Sequence, residues 1–363
     1  MDSSSLDELR RAIDALDDDM LTLLERRADL AERIAAAKRA GHLATYDPER
    51  ERAVLRRLET RGAGRFPGES IRAVYREIMS ACLAIQQPPR VSFLGPAGTF
   101  SHAAARELFG LAVRYNEAAT IDGVFDAVRR GDATYGVVPI ENSTEGSVRD
   151  AIDALIDGDV CIRQELVLEV NHCLMSTANG LTQVARVYSH PQALAQCRGW
   201  LAKNLSNAQL VQTPSTAAAA REAVSDSGGA AIATRLAAEL NGLPVLRERV
   251  QDVATNVTRF VMLAQEDAPA TGHDKTTLTF AVQDRRGALR RVLEVFDEHG
   301  VNLSRIESRP SRQRAWDYVF LADLEGHRQD AAVAAAIGVL TERCPMLRVL
   351  GSYPRAEANP VSS

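Results

Sequence analysis

Three architectures in series are predicted for this chain: an all-helical segment, an α/β segment, and a small α+β unit of order βαββαβ. Three observations carry that prediction. Residues 6–37 hold apolar side chains on a seven-residue repeat. From Arg90 to about Gln265, short apolar runs alternate with helical stretches, the pattern of a parallel-sheet protein. The last eighty residues read strand, helix, strand, strand, helix, strand. A chain of 363 residues has room for two or three domains, and at 45% hydrophobic it can bury a core in each. The boundaries are drawn at 1–88, 90–267 and 276–354.

Composition narrows the function classes. A net charge of -5 argues weakly against nucleic acid as a partner. No apolar run is long enough to span a membrane, and Met1-Asp2-Ser3-Ser4-Ser5 lacks the basic-then-apolar form of a signal peptide, so a cytoplasmic location is expected. Cys82, Cys161, Cys173, Cys197 and Cys344 are widely spaced with no Cys-x-x-Cys, which fits reduced thiols. The seven His are scattered, and no metal site is inferred.

In the first segment one row of the repeat is Leu6, Ile13, Met20, Arg27, Ile34, and the other is Leu9, Leu16, Leu23, Leu30, Ala37. Ser5 with Glu8 three residues later reads as a capping box. Such a helix is about 50 Å long at 1.5 Å per residue. A ninety-residue globule is only ~25 Å across, so the seam is expected to pack against a second copy of the chain. Arg27 breaks the seam, and a charge desolvated there without a partner costs several kcal/mol. With Arg10 and Lys38 flanking, three cations on one side of the helix suit a small dianion held between helices. Arg27 as a register marker, or snorkelling outward, fits the pattern equally well.

A second helix is expected from Asp47-Pro48, with Asp47 as N-cap, Arg50 and Glu51 in the first turn, and Val54, Leu55 and Leu58 inward. Capping alone accounts for Asp47 at least as well as ligand contact does. Ser70 is expected to cap a third helix whose apolar face runs Ile71, Val74, Tyr75, Ile78, Met79, Cys82 and Gln86. Gln86 on that face is either a frayed helix end or a ligand contact.

These residues in this order resemble the all-helical chorismate mutases of the bacterial type, whose three-helix chains dimerise through a long first helix. The resemblance implies substrate contacts at Arg10 (reaching into the partner's site), Arg27, Lys38, Asp47, Arg50, Glu51, Cys82 and Gln86. The family often has Ser where this chain has Cys82, and a thiol is a weak donor. The implied reaction, chorismate to prephenate, is a pericyclic rearrangement. It calls for a held conformer and stabilised charge on the breaking ether oxygen. Arg10 and Arg27 would take the two carboxylates, Lys38 and Gln86 the ether oxygen, and Glu51 the ring hydroxyl. No metal or organic cofactor is needed.

Across the middle segment, strands end in uncharged polar loops. Val91–Leu94 runs into Gly95-Pro96-Ala97-Gly98-Thr99-Phe100-Ser101, and Tyr135–Ile140 into Glu141-Asn142-Ser143-Thr144. Val184–Tyr188 runs into Ser189-His190-Pro191-Gln192, and Leu210-Val211 into Thr213-Pro214-Ser215-Thr216. Ligands in α/β folds bind at carboxyl ends of strands, and helix N-termini there offer N–H groups to anions. Ser101, Ser215 and Thr216 serve as well for N-caps. At the end of the segment, Thr258-Arg259-Phe260 opens an apolar strand. A hydroxyl beside a guanidinium suits a substrate with a carboxylate and a leaving oxygen, while an edge strand with a surface Arg is the plainer alternative.

Four of these stretches together are similar to prephenate dehydratase: Gly95–Ser101, Pro139–Ser143, Ser189–Leu194 and Thr258–Phe260. The resemblance implies two α/β lobes, like those of periplasmic binding proteins, with the site between them. It points to Thr258 as the catalytic hydroxyl. Substrate contacts fall on Thr99, Ser101, Glu141, Asn142, Ser143, Thr144, Gln192, Ser215, Thr216 and Arg259, with lobe packing as a second role for Arg259. Prephenate loses CO2 and its ring hydroxyl together, and that hydroxyl needs a donor as it departs. His190, before a Pro, fits a structural turn.

The final unit resembles an ACT domain. Gly287-Ala288-Leu289 and Glu307-Ser308-Arg309-Pro310 match that family's phenylalanine-binding motifs; a turn Gly and a bulged strand end are the structural alternative. The order of the three resemblances implies a family of bifunctional enzymes in phenylalanine biosynthesis, with phenylalanine as inhibiting effector and a homodimer or higher oligomer. A ligand-binding regulator would account for the strand tips and the last unit, but not for Arg27 in the seam. A dehydratase with an inactive mutase domain has Cys82 in its favour.

Overall fold

The computed structural model describes residues 3–41, 46, 48–61, 64–86, 88–283, 285–310 and 318–356. It divides into two units, the helical segment up to Arg90 with Phe109–Arg114, and the remainder.

The helical unit holds α1 (Ser3–Ala40), α2 (Pro48–Arg61) and α3 (Gly68–Gln86). Here α3 packs on both α1 and α2. Two expected boundaries move: α1 starts at Ser3, so Ser5 lies inside the first turn rather than at the cap, and α3 starts two residues before Ser70. Backbone hydrogen bonding from Ile71 N to Pro67 O closes the first turn of α3, which explains the earlier start. Among the described side chains of α1 only Ala31 and Ala35 are buried, whereas the seam residues Leu9, Leu16 and Leu23 are 61%, 60% and 59% exposed.

The second unit begins with a lobe built from β1 (Arg90–Leu94), α4 (Phe100–Phe109), β2 (Arg114–Ala118), α5 (Ile121–Arg129), β3 (Tyr135–Asn142), β4 (Gly146–Ser147), α6 (Arg149–Asp157) and β5 (Cys161–Glu169). The chain then crosses to a second lobe. It contains β6 (Cys173–Ser176), β7 (Arg186–Ser189), α7 (Pro191–Gln196), α8 (Arg198–Asn204), β8 (Gln209–Gln212), α9 (Thr216–Val224), β9 (Gly229–Ala233), α10 (Arg235–Asn241) and β10 (Val245–Arg247). It returns as β11 (Val257–Ala264), which enters the first sheet between β3 and β5.

The sheets are mixed, not parallel as the alternation suggested. β1 and β3 are parallel, as are β7, β8 and β9, but β11 runs antiparallel to both its neighbours and β6 antiparallel to β9. The cause is the double crossing: a strand returning from the second lobe re-enters the first sheet against its direction. That return sets the beginning of β11 beside the end of β3, pairing Thr258 with Asn142. The two crossing segments are laced together, His172 N donating to Gln251 Oε1 and Gln251 Nε2 to Asn171 Oδ1, both at 2.9 Å.

The chain ends in β12 (Asp274–Ala281), α11 (Ala288–Glu298), β13 (Leu303–Pro310), β14 (Tyr318–Glu325), α12 (Ala331–Arg343) and β15 (Met346–Pro354), with sheet order β13-β14-β12-β15. One face of this sheet, with Leu278, Phe280, Ala322 and Leu324, is covered by α11 and α12 through Val292, Val295, Val333 and Leu340. Its other face lies on the first lobe: Leu321, Leu350 and Tyr353 share a buried cluster with Val138, Ile140 and Ile162. Among the described residues no helix is long and apolar enough to cross a membrane.

Candidate active sites

A cleft of about 510 Å³ opens between the two lobes. From the first lobe Thr99, Ser101, Asn142, Glu145, Ser147 and Thr258 line it; from the second come Gln192, Gln196, Ser215 and Thr216, with His172 at the crossing. The N-termini of α4, α7 and α9 face it. Ser215 caps α9 by accepting from Ala218 N, and Thr99 accepts from His102 N while donating to Leu94 O. His190 caps α7, accepting from Gln192 N. Among the described residues, none that lines it is Lys or Arg.

Asn142 organises the chemistry. Its Oδ1 accepts from Thr144 N at 3.0 Å, Thr144 Oγ1 at 2.6 Å and Glu145 N at 3.2 Å. Two backbone donors fix which end of the amide is oxygen. Its Nδ2 therefore faces the other way and donates to Asn256 Oδ1 at 2.9 Å and Thr258 Oγ1 at 2.8 Å. Thr258 is buried with its oxygen already accepting, so its own proton is the part left to give. An amide N–H on the oxygen also eases charge build-up there, which makes the hydroxyl a better donor. Ser143 stitches the same corner, its Oγ accepting from Val257 N at 3.0 Å.

Three participants escaped the sequence reading. Glu145 reaches across the cleft to accept from Gln192 Nε2 and from Gln196 Nε2, the latter at 3.3 Å, and Gln196 Oε1 meets His172 Nε2 at 2.9 Å. Since Gln196 gives its N–H to Glu145, His172 Nε2 must carry the ring proton. Nδ1 is then a lone pair, and it is buried without a hydrogen-bond partner. Burial lowers the His172 pKa, which keeps the ring neutral. Gln192 and Gln196, four apart on one helix, were a legible pair; His172 and Glu145 carried no spacing to mark them.

Arg259, expected at a substrate carboxylate, is not brought to the cleft. Its Nε donates to Glu165 Oε2 at 2.8 Å, Nη1 to Asp323 Oδ2 at 2.6 Å and Nη2 to Tyr353 OH at 2.8 Å. Burial opposes its charge, and Tyr353, Asp323 and Glu165 outweigh that, so its pKa is raised. The physical reason is strand alternation: neighbouring residues on β11 point to opposite faces. Glu141 goes the same way, its Oε2 lying 3.7 Å from Arg259 Nη1 and 3.5 Å from Arg305 Nε.

In the helical unit, Arg27 Nη1 donates to Cys82 Sγ at 2.7 Å, bringing α1 and α3 together at the residues expected to hold substrate. Gln86 Oε1 is buried with no hydrogen-bond partner, a cost that a bound ligand would lift. Lys38, Arg50 and Glu51 are each engaged in interactions of their own. Asp47 lies outside the described residues. Arg10 is exposed and pairs with Asp7 at 3.3 Å. It lies roughly 25 Å along α1 from Arg27 at 1.5 Å per residue.

In the last unit, Gly287 takes a left-handed φ of 75° ahead of α11, with Ala288 as the first helical residue and Leu289 packed on the core. Alternation splits the Glu307–Pro310 motif on the edge strand β13: Ser308 and Pro310 are exposed, whereas Glu307 and Arg309 turn to the first lobe. Ser147 Oγ donates to Glu307 Oε2 at 2.5 Å, and Arg309 Nη2 donates to Asp153 Oδ1 at 2.8 Å.

Comparison with known proteins gives these sites their family. The family model for chorismate mutase type II matches residues 9–87, that for prephenate dehydratase residues 91–268, and that for the ACT domain residues 276–341. The bifunctional chorismate mutase/prephenate dehydratase of Aquifex aeolicus is 45% identical over 356 residues, covering 97% of this chain and 98% of that one. Its counterpart from Neisseria gonorrhoeae is 43% identical over 361 residues, 98% and 99% of the two chains. A prephenate dehydratase from Arthrobacter aurescens, solved in complex with L-Phe, superposes with a TM-score of 0.68 at 39% identity, over 74% of this chain and 90% of that chain. The chain belongs to the family of bifunctional chorismate mutase/prephenate dehydratases.

Proposed function

We propose that the helical unit rearranges chorismate to prephenate, that the cleft converts prephenate to phenylpyruvate, and that phenylalanine acts on the last unit. The domains are taken as 1–88, 90–267 and 276–354. The observation that carries the dehydratase reading is Thr258 Oγ1 accepting the Asn142 amide at the cleft wall. As the ring C–OH bond breaks, Thr258 donates to the departing oxygen. The C–C bond to the ring carboxylate breaks with it, and its electron pair makes the ring aromatic. Carbon dioxide and water leave, and the proton given up is replaced from solvent. With no cation among the described residues of the cleft wall, the substrate carboxylates fall to the N-termini of α4 and α9 and to Ser101, Ser215 and Thr216. Gln192, tied to Glu145, orients the substrate from the opposite lobe. Glu141 and Arg259 support the site from behind.

In the mutase, Arg27 takes one carboxylate, and Lys38 and Gln86 the ether oxygen. Arg50, Glu51, Cys82 and Asp47 complete the contacts. Arg10 is too far along α1 to serve its own chain's site, so it serves a partner's. This supports a dimer through the exposed seam of α1. For the effector, Gly287–Leu289 offers backbone N–H groups, and Ser308 and Pro310 offer the open face of β13. Higher assembly through that edge is compatible with the exposed strand.

A coupled time course tests the reading: chorismate is supplied, and chorismate, prephenate and phenylpyruvate are followed with and without phenylalanine. Phenylpyruvate formation, damped by phenylalanine, is expected. Prephenate accumulating without phenylpyruvate would refute the dehydratase assignment. In variants, Thr258→Ala is expected to lower dehydratase turnover by about 10²–10⁴ while sparing the mutase, and Arg27→Ala to do the reverse.

A further inference from the structure

The strand that carries Thr258 has a weak point beside it. Against β3, Thr258 pairs with Asn142 and Arg259 with Glu141, but Phe260 pairs with Pro139, so Ile140 is skipped. The ladder is irregular there, and Pro139 has no N–H to give it. Backbone pairing to β3 alone therefore leaves the orientation of Thr258 under-determined, although a slip of one residue would exchange the two faces of the strand.

What supplies the missing constraint is the C-terminal unit. Arg259 is gripped from three sides, by Glu165 within its own lobe and by Asp323 and Tyr353 of the C-terminal sheet. Those two are fixed in turn: Thr277 Oγ1 donates to Asp323 Oδ1 at 2.7 Å and lies 2.6 Å from Tyr353 OH. Lys275 Nζ closes on both oxygens of Glu165 at 2.9 Å. Asp323 and Tyr353 are 1% and 0% exposed. The paired charges run on through Glu141, 3.7 Å from Arg259 Nη1, to Arg305, and the buried cluster is held in one geometry.

We propose that Asp323 and Tyr353 of the C-terminal unit are positioning residues of the dehydratase: by clamping Arg259 on one face of β11 they hold Thr258 against Asn142 on the other. The dehydratase site is then complete only with the C-terminal sheet seated. The cluster reaches the chemistry through one peptide unit, so a shift of the sheet is transmitted to the Thr258 hydroxyl directly.

The inference rests on Thr258 acting in the dehydratase reaction, and the test separates the two claims. Tyr353→Phe and Asp323→Asn keep shape while removing one contact or the charge. In the full-length protein each is expected to lower dehydratase kcat by about tenfold, since small misplacements are costly, with KM for prephenate little changed and mutase turnover intact. Arg259→Lys is expected to retain more kcat than Arg259→Ala. The decisive comparison is the Thr258→Ala background, where Asp323→Asn should cost nothing further, because residues acting as a unit are not additive. The same fold loss in both backgrounds would show that the cluster only stabilises the fold and would overturn the proposal. Unchanged kcat in Tyr353→Phe and Asp323→Asn would overturn it too. Near-normal turnover of Thr258→Ala would instead remove the reading on which it rests.

Discussion

His102 shows how one side chain can make the cleft sensitive to acid. It stacks on Phe93 with ring centroids 4.5 Å apart, and its Nδ1 accepts from Gly98 N at 3.2 Å. Gly98 has a φ of 89° and lies against α10, so the loop it anchors is the one between β1 and α4 at the cleft. Burial, with the charge of Arg106 adding, brings the His102 pKa down to about 4. The unfolded chain binds this proton near pH 6.5, so between the two values it holds more protons than the folded one. The stability contributed is therefore full above pH 6.5 and is lost as pH falls toward 4. A protonated Nδ1 also cannot accept from Gly98. His102→Asn keeps an acceptor near the Nδ1 position but does not titrate. Its Tm at neutral pH should be lower, for loss of the ring, and its fall on acidification shallower than in wild type. Thermal melts of both proteins at about pH 7 and pH 4.5 check this; equal slopes would exclude His102 as the sensor.

At the scale of elements, alternation along two strands decides which motif residues touch ligand and which touch protein. Thr258 and Arg259 are neighbours in sequence and were read together, yet β11 sends them to opposite faces. The sequence showed a strand there and a polar tip, but the face was set by a sheet that arrives from a distant segment, and no local pattern marks that. The same holds for β13. Arg305, Glu307 and Arg309 are half-buried on the first lobe, while Ser308 is open. Ser308→Ala should thus alter the phenylalanine response alone. Arg309→Ala should also change the unliganded dehydratase rate, because it breaks the tie from β13 to the first lobe at Asp153; dose–response curves with basal rates distinguish them. The fit of the two sheets is tight at Gly351, where an added Cβ would lie 2.2 Å from the carbonyl oxygen of Ile162. Backbone cannot move aside as a side chain can. Gly351→Ala is expected to cost about 1–3 kcal/mol or more of stability and to depress dehydratase activity with the mutase spared, measured by denaturant melts and the two assays. The strand-tip loops, by contrast, were legible as loops, because turn residues and cap chemistry are local properties, although Ser101 lies inside α4 and Thr216 is the first residue of α9 rather than a cap.

At the scale of the molecule, the proposed mutase site is one that a single chain does not complete. The seven-residue repeat was visible in sequence because it is periodic, and the exposed rows of α1 are its structural counterpart. Leu9, Leu16 and Leu23 on one helix leave apolar surface that a second copy, related by a two-fold axis, would cover with the same residues. The antiparallel pairing of α1 with itself would bring the N-terminal part of one helix beside the C-terminal part of the other, which is where Arg27 and Lys38 stand. Each site would then combine Arg27, Lys38 and Gln86 of one chain with Arg10 of its partner. The consequence is a complementation that no monomeric arrangement allows. Arg10→Ala and Arg27→Ala chains are each expected to be inactive as mutase homodimers, since every shared site would lack one Arg. Unfolded together and refolded as a mixture, they form mixed dimers in which one site has lost both Arg and the other has both. Random pairing should restore roughly a quarter of wild-type mutase turnover, with dehydratase turnover unaffected throughout. No recovery, with mixed dimers shown to have formed, would mean that Arg10 serves its own chain or none, and the shared site would have to be abandoned.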